Sequence, residues 1–346
     1  MASEPASDLA FEGPAAFEEE SRREHVAGLS PWRLALRRLK RSRTSLAFGA
    51  LFILIVAVCL AAPLWADHVA HTTPLKNHLS DQIVIDGKKT DVVSLEGVPI
   101  GPTWQGEFFL GADLNGRDTA VRLLYGGRNS LLIGAVASII TSLLSVFFGV
   151  LAGFFRGFTD TVISRALDVI WAFPVLLLGV ALGTALTLSG LNLGPIEISA
   201  RSKMIPILII AIVYVPYMAR PIRGQVLSLR EKEFVEAARA QGAGPLRIMA
   251  TEILPNLSST VIVFFPLMVA NVILLEAALG FLGVGVQPPE ASWGTMIGDG
   301  VEHILSGPHL AIVPGAMLVL TVLALNVFGD GVRDAFDPRA KIHLEH

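Results

Sequence analysis

The sequence predicts an all-α polytopic membrane protein, and three observations carry that reading. Of 346 residues, 52% are hydrophobic and only 16% charged, with a mean hydropathy of +0.59; a soluble domain has about a quarter charged. Six uncharged apolar runs, at residues 44–66, 129–155, 169–196, 204–219, 253–275 and 310–329, hold 16 to 28 residues each. At about 1.5 Å per residue, about twenty residues of helix cross a bilayer core of about 30 Å. The lone cysteine, Cys59, sits inside an apolar run, so no disulfide framework exists within the chain. A net charge of −3 gives no reason to expect nucleic acid.

Residues 1–30 lack apolar periodicity and carry seven acids against Arg22 and Arg23, the composition of a disordered cytoplasmic tail rather than a signal peptide. Residues 31–66 pair a basic segment with the first crossing. Six cations precede the apolar run, and cations stay inside, so this helix runs from inside to outside. Trp32 and Trp65 would mark its two interfaces. Residues 67–128 follow as an external segment. Within it, short β-branched stretches flank Asp86-Gly87, a dipeptide suited to a tight hairpin turn, so a small external β-element is expected, and it could contact a binding protein. Residues 129–346 form the remaining core.

The fourth run has only 16 uncharged residues, and snorkelling by Arg220 or Arg223 extends it. Six crossings put both termini on one side. That side takes 17 cations against eight on the other, six of those eight in the long external segment, which translocates with little regard to charge. Both termini are therefore expected in the cytoplasm. Gly134, Gly149, Gly153, Gly179 and Gly183 would let helices approach closely in lipid. Pro174, Pro206, Pro216, Pro266 and Pro314 would kink or open helices. Asp113, Arg117, Asp118, Arg122 and Arg128 read as salt-bridged scaffolding, since no nucleophile accompanies them. Asp168, Asn271, Glu276 and Asn326 lie in or near spans, where polar groups are costly and often functional. An interhelical hydrogen bond is the ordinary role for each. Glu276, toward the external end, is the best candidate for a substrate path, with Asn271 the second.

The segment around which these crossings are arranged is the cytoplasmic loop 228–256. Residues 233–241 are good helix formers with Phe234, Ala237, Ala238 and Gln241 on one face. Gly242 suits the residue just past a helix end, and Gly244-Pro245 suits the cap and first position of a new one. The second helix would carry Leu246, Met249 and Ile253 on one side before Pro255 checks it. Charge over 230–252 balances, four cations against four anions; an anionic lipid surface would call for a basic cluster. A loop of this kind, with small residues at Ala237 and Ala238, is suited to docking on a protein.

Glu236-Ala237-Ala238, Gly242 and Leu254-Pro255 resemble the EAA signature of membrane subunits of bacterial ABC importers. Glu252 stands where the general signature has Ile, as is usual in the peptide branch. Three further stretches, LGADLNGRDTAVRLLYGGRNSL from Leu110, EAALGFLGVGVQPPEASWG from Glu276 and GDGVRDAFDPR from Gly329, resemble the dipeptide and oligopeptide permeases of DppC/OppC type. The resemblance implies a six-helix permease fold in the bacterial inner or plasma membrane. It implies a homologous second permease, two ATP-binding subunits and an extracellular or periplasmic substrate-binding protein that delivers peptide. Its coupling residues would be Glu236, Ala237, Ala238, Gly242, Leu254 and Pro255.

No GxxxxGK[ST] phosphate loop, HExxH, CxxC or GxSxG occurs. The chain is thus expected to be non-catalytic and to hold no cofactor, with ATP and Mg bound by the partner ATPases. Nickel complexes and oligosaccharides remain open as cargo, since such permeases resemble one another whatever they carry. An ion-coupled secondary transporter would need midplane carboxylates and an internal inverted repeat, and neither is evident.

Overall fold

A computed structural model of the chain describes residues 31–85 and 87–336. The expected tail at 1–30, the turn residue Asp86 and the final residues 337–346 lie outside the described residues. Helix α1 (Pro31–Arg41) is basic, and α2 (Arg43–Leu60) is apolar. They part at Ser42, whose hydroxyl accepts from the Ser45 amide at 3.3 Å and so caps α2. The first apolar run does not continue as one helix. Pro63 has no amide hydrogen to donate, and a separate helix, α3 (Ala62–His68), starts around it.

The hairpin expected in the external segment is present. Strands β1 (Gln82–Ile85) and β2 (Lys88–Asp91) pair antiparallel with Ile85 opposite Lys88, which leaves a two-residue connection. Val92, Phe108 and Ala112 make a small core beneath it. Asp118 then joins this segment to the membrane part. Its carboxylate accepts from the Phe108 amide at 2.7 Å and from the Val121 amide at 2.9 Å, capping α4 (Thr119–Phe155). Arg117 and Arg122 both close on Asp113, at 2.7 and 3.2 Å, so these charges hold the scaffold together as the sequence suggests.

At 37 residues, α4 spans about 55 Å and projects beyond any bilayer core. The next crossing differs from the run at 169–196. It is a bent pair, α5 (Gly157–Trp171) and α6 (Val175–Ser189), meeting at 85°. Pro174 cannot donate to the helix before it and takes ψ 124°, so the chain restarts there. Gly190, at φ +69°, ends α6, and the rest of the run folds as a second hairpin, β3 (Leu191–Leu193) with β4 (Ile196–Ile198). Asp168 therefore lies in α5, the first half of this bent crossing.

Helix α7 (Met204–Leu229) continues past Arg220 and Arg223, which settles the apparent shortness of the fourth run. Next come α8 (Glu233–Ala240), the single turn α9 (Pro245–Ile248), a π turn at Met249–Ile253 and the crossing helix α10 (Leu254–Phe281). A short α11 (Trp293–Val301) precedes the final α12 (His309–Phe336). Among the described residues, α2, α4, α7, the α9–α10 unit and α12 are each long and apolar enough to cross a membrane, and the bent pair makes six crossings when counted as one.

The centre of the bundle is α4 against α7 and α10. A Cβ on Gly149 would stand 2.7 Å from Ile222 Cγ2 and 2.9 Å from the Ala219 carbonyl oxygen, and one on Gly153 would stand 2.7 Å from Val226 Cβ. At those two sites only glycine permits the approach. Between them and the far end, Thr141 Oγ1 donates to the Ala211 carbonyl at 3.2 Å and Ser145 Oγ to the Val215 carbonyl at 3.0 Å. Gly134 meets Ile273, Gly179 meets Leu279 and Gly183 meets Val284. Four of the five glycines singled out in the sequence thus lie at helix–helix contacts, where packing drives association in lipid, and Gly183 packs on the loop just after α10. On the outer side, α2 lies along α12, with Gly49 beneath the Phe328 ring.

Candidate functional site

The loop between α7 and α10 is anchored from within and open without. Val235 is wholly buried, as are Ile248 and Ile253, and they join the main core with Val226, Phe154 and Leu257. Around that anchor, Glu236, Ala237, Gln241 and Gly242 face outward, and Phe234 is 38% exposed. Ala238 is half-buried against the core. The face that the spacing predicted is therefore largely unpartnered among the described residues, and Val235, the one fully buried side chain of α8, fixes its orientation. Val235 is a buried anchor that periodicity alone did not single out.

The turn between α8 and α9 follows the sequence closely. The Gly242 amide donates to the Arg239 carbonyl at 2.9 Å, and the Ala243 amide to the Ala238 carbonyl at 3.0 Å. This pair of bonds is a Schellman closure, which needs a left-handed residue, and Gly242 supplies it at φ +83°. Gly244 then caps α9 and Pro245 occupies its first turn. The next stretch departs from expectation. Leu246 is 76% exposed rather than sharing a face with Met249 and Ile253. Nor does Pro255 end a helix: it lies in the first turn of α10, where its missing amide hydrogen costs nothing. The π turn before it brings Ile248 and Ile253, five residues apart, to the same buried side. Leu254 and Pro255 remain exposed beside the loop.

Ionic and hydrogen-bonded ties join this loop to the bundle. Arg230 Nη1 donates to the Phe154 carbonyl at the end of α4, at 2.6 Å. Burial lowers the pKa of Arg230, and the neighbouring cations Arg156 and Arg239 act in the same direction, but a guanidinium stays charged at any accessible pH. Arg156 pairs with Glu231. Arg223 grips Asp160 of α5 with two bonds, at 2.6 and 2.7 Å, and Arg220 reaches Asp168 at 2.9 Å. Loop, α4, α5 and α7 therefore meet at one end of the bundle through charge as well as packing.

The two path candidates lie elsewhere. Glu276 is completely buried in α10, with neither carboxylate oxygen in a hydrogen bond of normal geometry. The hydroxyls of Ser130 and Ser292 face it. Each already accepts a backbone amide, from Trp293 at 3.1 Å and from Thr295 at 3.3 Å, which leaves its own proton free for the carboxylate. Glu276 thus sits where α4, α10 and the start of α11 converge. Trp293, fully buried beside it in sequence to Ser292, donates its indole N–H to the Leu123 carbonyl at 3.1 Å. Asn271, one and a half turns earlier in α10, is half-buried. Its amide donates to the Leu267 carbonyl at 2.9 Å, and its own carbonyl accepts from the Tyr214 hydroxyl at 3.4 Å. The structure does not bring these two residues to the α8 loop.

Comparison with known proteins now bears on this geometry. The family model described as binding-protein-dependent transport system inner membrane component matches residues 145–342, and that of the N-terminal TM domain of oligopeptide transport permease C matches residues 30–80. The chain is 35% identical to the dipeptide transport system permease protein DppC of Alkalihalophilus pseudofirmus, over 92% of this chain and 93% of that one. It is 38% identical to the di/tripeptide transport system permease protein DppC of Pseudomonas aeruginosa, over 85% and 88%. It is 32% identical to the glutathione transport system permease protein GsiD of Pectobacterium atrosepticum, over 90% and 92%. Among solved structures, a chain of the inward-facing MetNI methionine ABC transporter superposes with a TM-score of 0.50 at 19% identity, covering 62% of this chain and 96% of that one. At that identity the likeness concerns the fold alone.

Proposed function

This chain belongs to the binding-protein-dependent transport system inner membrane components, and from that premise we propose that it is the membrane-spanning permease of an ATP-driven importer of dipeptides or oligopeptides. The peptide assignment is supported by the names of its relatives, which specify dipeptide, di/tripeptide, oligopeptide or glutathione transport. No observation favours nickel complexes or oligosaccharides over peptides.

The observation that carries the mechanism is the outward face of α8, held by Val235 and the Gly242 turn yet covered by nothing among the described residues. In this reading, an ATP-binding subunit seats that face, with Glu236, Ala237, Ala238, Gly242, Leu254 and Pro255 at or beside the contact. A second ATPase serves a homologous permease that completes the pore, and ATP and Mg stay on the ATPases. When the ATPase dimer closes, α8 moves. Because Arg230, Glu231 and Arg223 tie the loop region to α4 and α5, the displacement passes into the helices that surround the path and switches its open side. Both termini and the loop lie in the cytoplasm, and an external binding protein delivers peptide at the opposite end, near the 61–118 segment. Glu276 and Asn271 are the polar groups of α10 placed to respond to that switching.

Purification of the chain from its native membrane in mild detergent, with mass spectrometry of whatever accompanies it, tests the assembly. Recovery of a second permease and ATP-binding subunits, lost when Glu236 or Gly242 is changed, is the expected result. Recovery of this chain alone would overturn the proposal.

A further inference from the structure

At the end of the bundle that carries the 61–118 segment, a groove of about 750 Å³ opens between α2, α4 and α10. Its character changes along the membrane axis. Phe52, Val56 and Leu60 from α2, Leu132 and Ala135 from α4, and Val269 from α10 line its depth, while Arg122, Tyr125, Arg128, Lys203 and Glu290 stand at its mouth. Phe52 and Leu60 lie eight residues apart on one helix, so the apolar part runs about 12 Å into the hydrocarbon. The mouth lies at the level of the interface. Arg128 immediately precedes the uncharged stretch of α4, and Lys203 immediately precedes α7.

The charges at this mouth do not cancel. Arg122 closes on Asp113 at 3.2 Å and Lys203 on Glu290 at 2.6 Å. Arg128 lies over the Tyr125 ring at 5.4 Å and pairs with no carboxylate among the described residues. One positive charge is left over at the head of an apolar slot. The slot is open at its flank, where Leu60 is 63% and Leu132 is 49% exposed.

We propose that this groove holds one anionic phospholipid, with an acyl chain against Phe52, Val56, Leu132 and Val269 and the phosphate at Arg128 and Lys203. A peptide fits it poorly. The charged groups are all at the mouth, so peptide bonds inside the slot would lose their water without gaining partners. A hydrocarbon chain loses nothing there, and a single negative charge balances the single unpaired cation. A cation near a membrane surface contributes about 1 kcal/mol toward an anionic lipid, which corresponds to about fivefold in affinity.

The test is native mass spectrometry of the full-length chain, with the subunits that accompany it, after titration with phosphatidylglycerol or with phosphatidylcholine of the same acyl chains. The protein should retain phosphatidylglycerol about fivefold more strongly. Arg128→Gln should remove that preference while leaving residual binding of both lipids, and Ala135→Trp, which fills the slot, should remove retention of both. An unchanged thermal midpoint certifies that each variant is folded, and Lys203→Gln offers a second mouth variant should Arg128→Gln fail that check. Equal retention of the two lipids by the unaltered protein, or unchanged retention in Ala135→Trp, would overturn the proposal. So would displacement of the lipid by a dipeptide, which would make the groove a substrate site.

Discussion

Replacing Gly242 separates two things that the α8 loop must do: fold, and present a face. Any L-residue at φ +83° incurs the left-handed penalty of about 1–2 kcal/mol. Gly242→Ala and Gly242→Trp share that term, and the Schellman bonds at 2.9 and 3.0 Å hold or loosen equally in both. They differ only in what projects. Among the described residues no atom lies within 4 Å of where a Cβ would stand, so the side chain starts out into the open space beside the exposed face of α8. If that space belongs to an ATP-binding subunit, Gly242→Ala should slow uptake by about tenfold or less, the factor that about 1.4 kcal/mol represents, while Gly242→Trp should abolish it. Both variants should insert into the membrane in normal amounts, since neither touches a crossing. The assay is uptake of a labelled dipeptide by cells whose only copy of the permease is the variant, with membrane fractions blotted for insertion. Equal uptake by the alanine and tryptophan variants would refute the argument, because it would leave strain as the whole effect and the space beyond Gly242 empty.

Three further outcomes are expected from the packing and the polar contacts. Gly149→Leu should destabilise the chain by about 1–3 kcal/mol or more, because the Ala219 backbone oxygen at 2.9 Å from the new Cβ cannot turn aside as a side chain can; thermal unfolding in detergent, followed by tryptophan fluorescence, measures it. Asp118→Ala should cost about 1–2 kcal/mol by loss of the α4 cap, and somewhat more because the Phe108 amide loses its acceptor; Asp118→Asn, with one acceptor oxygen for two amides, should fall between, and a midpoint equal to the parent's would count against the capping role. Glu276→Gln should change stability by no more than about 1 kcal/mol, since an amide oxygen in the same place can still face the Ser130 and Ser292 hydroxyls, whereas Glu276→Lys should cost about 3 kcal/mol or more by leaving an unpaired buried cation. The same melting assay decides this, and equal loss in both would refute it.

Much of this architecture is legible because hydrocarbon leaves the backbone few choices. A run such as 129–155 must become helix, since no other local structure satisfies its amides and carbonyls there. The helix stop at Gly242 and the restart at Gly244-Pro245 were equally readable, because each depends on one residue's own backbone preference. What escaped was decided by contacts distant in sequence. A break at Pro174 was readable from proline's missing amide hydrogen, but not its size, an 85° turn between α5 and α6. The exposure of Leu246 follows from the buried anchor at Val235, Ile248 and Ile253, which periodicity over so short a helix could not orient. Of the path candidates, Glu276 had a visible charge but invisible neighbours: Ser130 lies on another helix and Ser292 beyond a loop. The lipid groove could not be read at all, because its walls come from three helices and its unpaired cation is known to be unpaired only once the others have found partners.

The wide turn at Met249–Ile253 has one more effect, on phase. Successive residues of an α-helix advance about 100° around its axis, so a single residue more or less between two points rotates everything beyond it by that angle. The π turn absorbs such an extra residue between the loop and α10. Delete one residue from it and the backbone relaxes to ordinary pitch with α10 in its present phase; delete one from the regular helix just beyond it, where no wide turn gives a residue up, and α10 swings by about a quarter of a revolution, carrying Asn271 away from Tyr214 and Ile273 away from Gly134. The surface that faces outward at α8 and the surface that faces inward along α10 are thus kept in step by a turn that holds one residue in reserve, and chain length is strictly determined in the helix beyond that turn rather than within it.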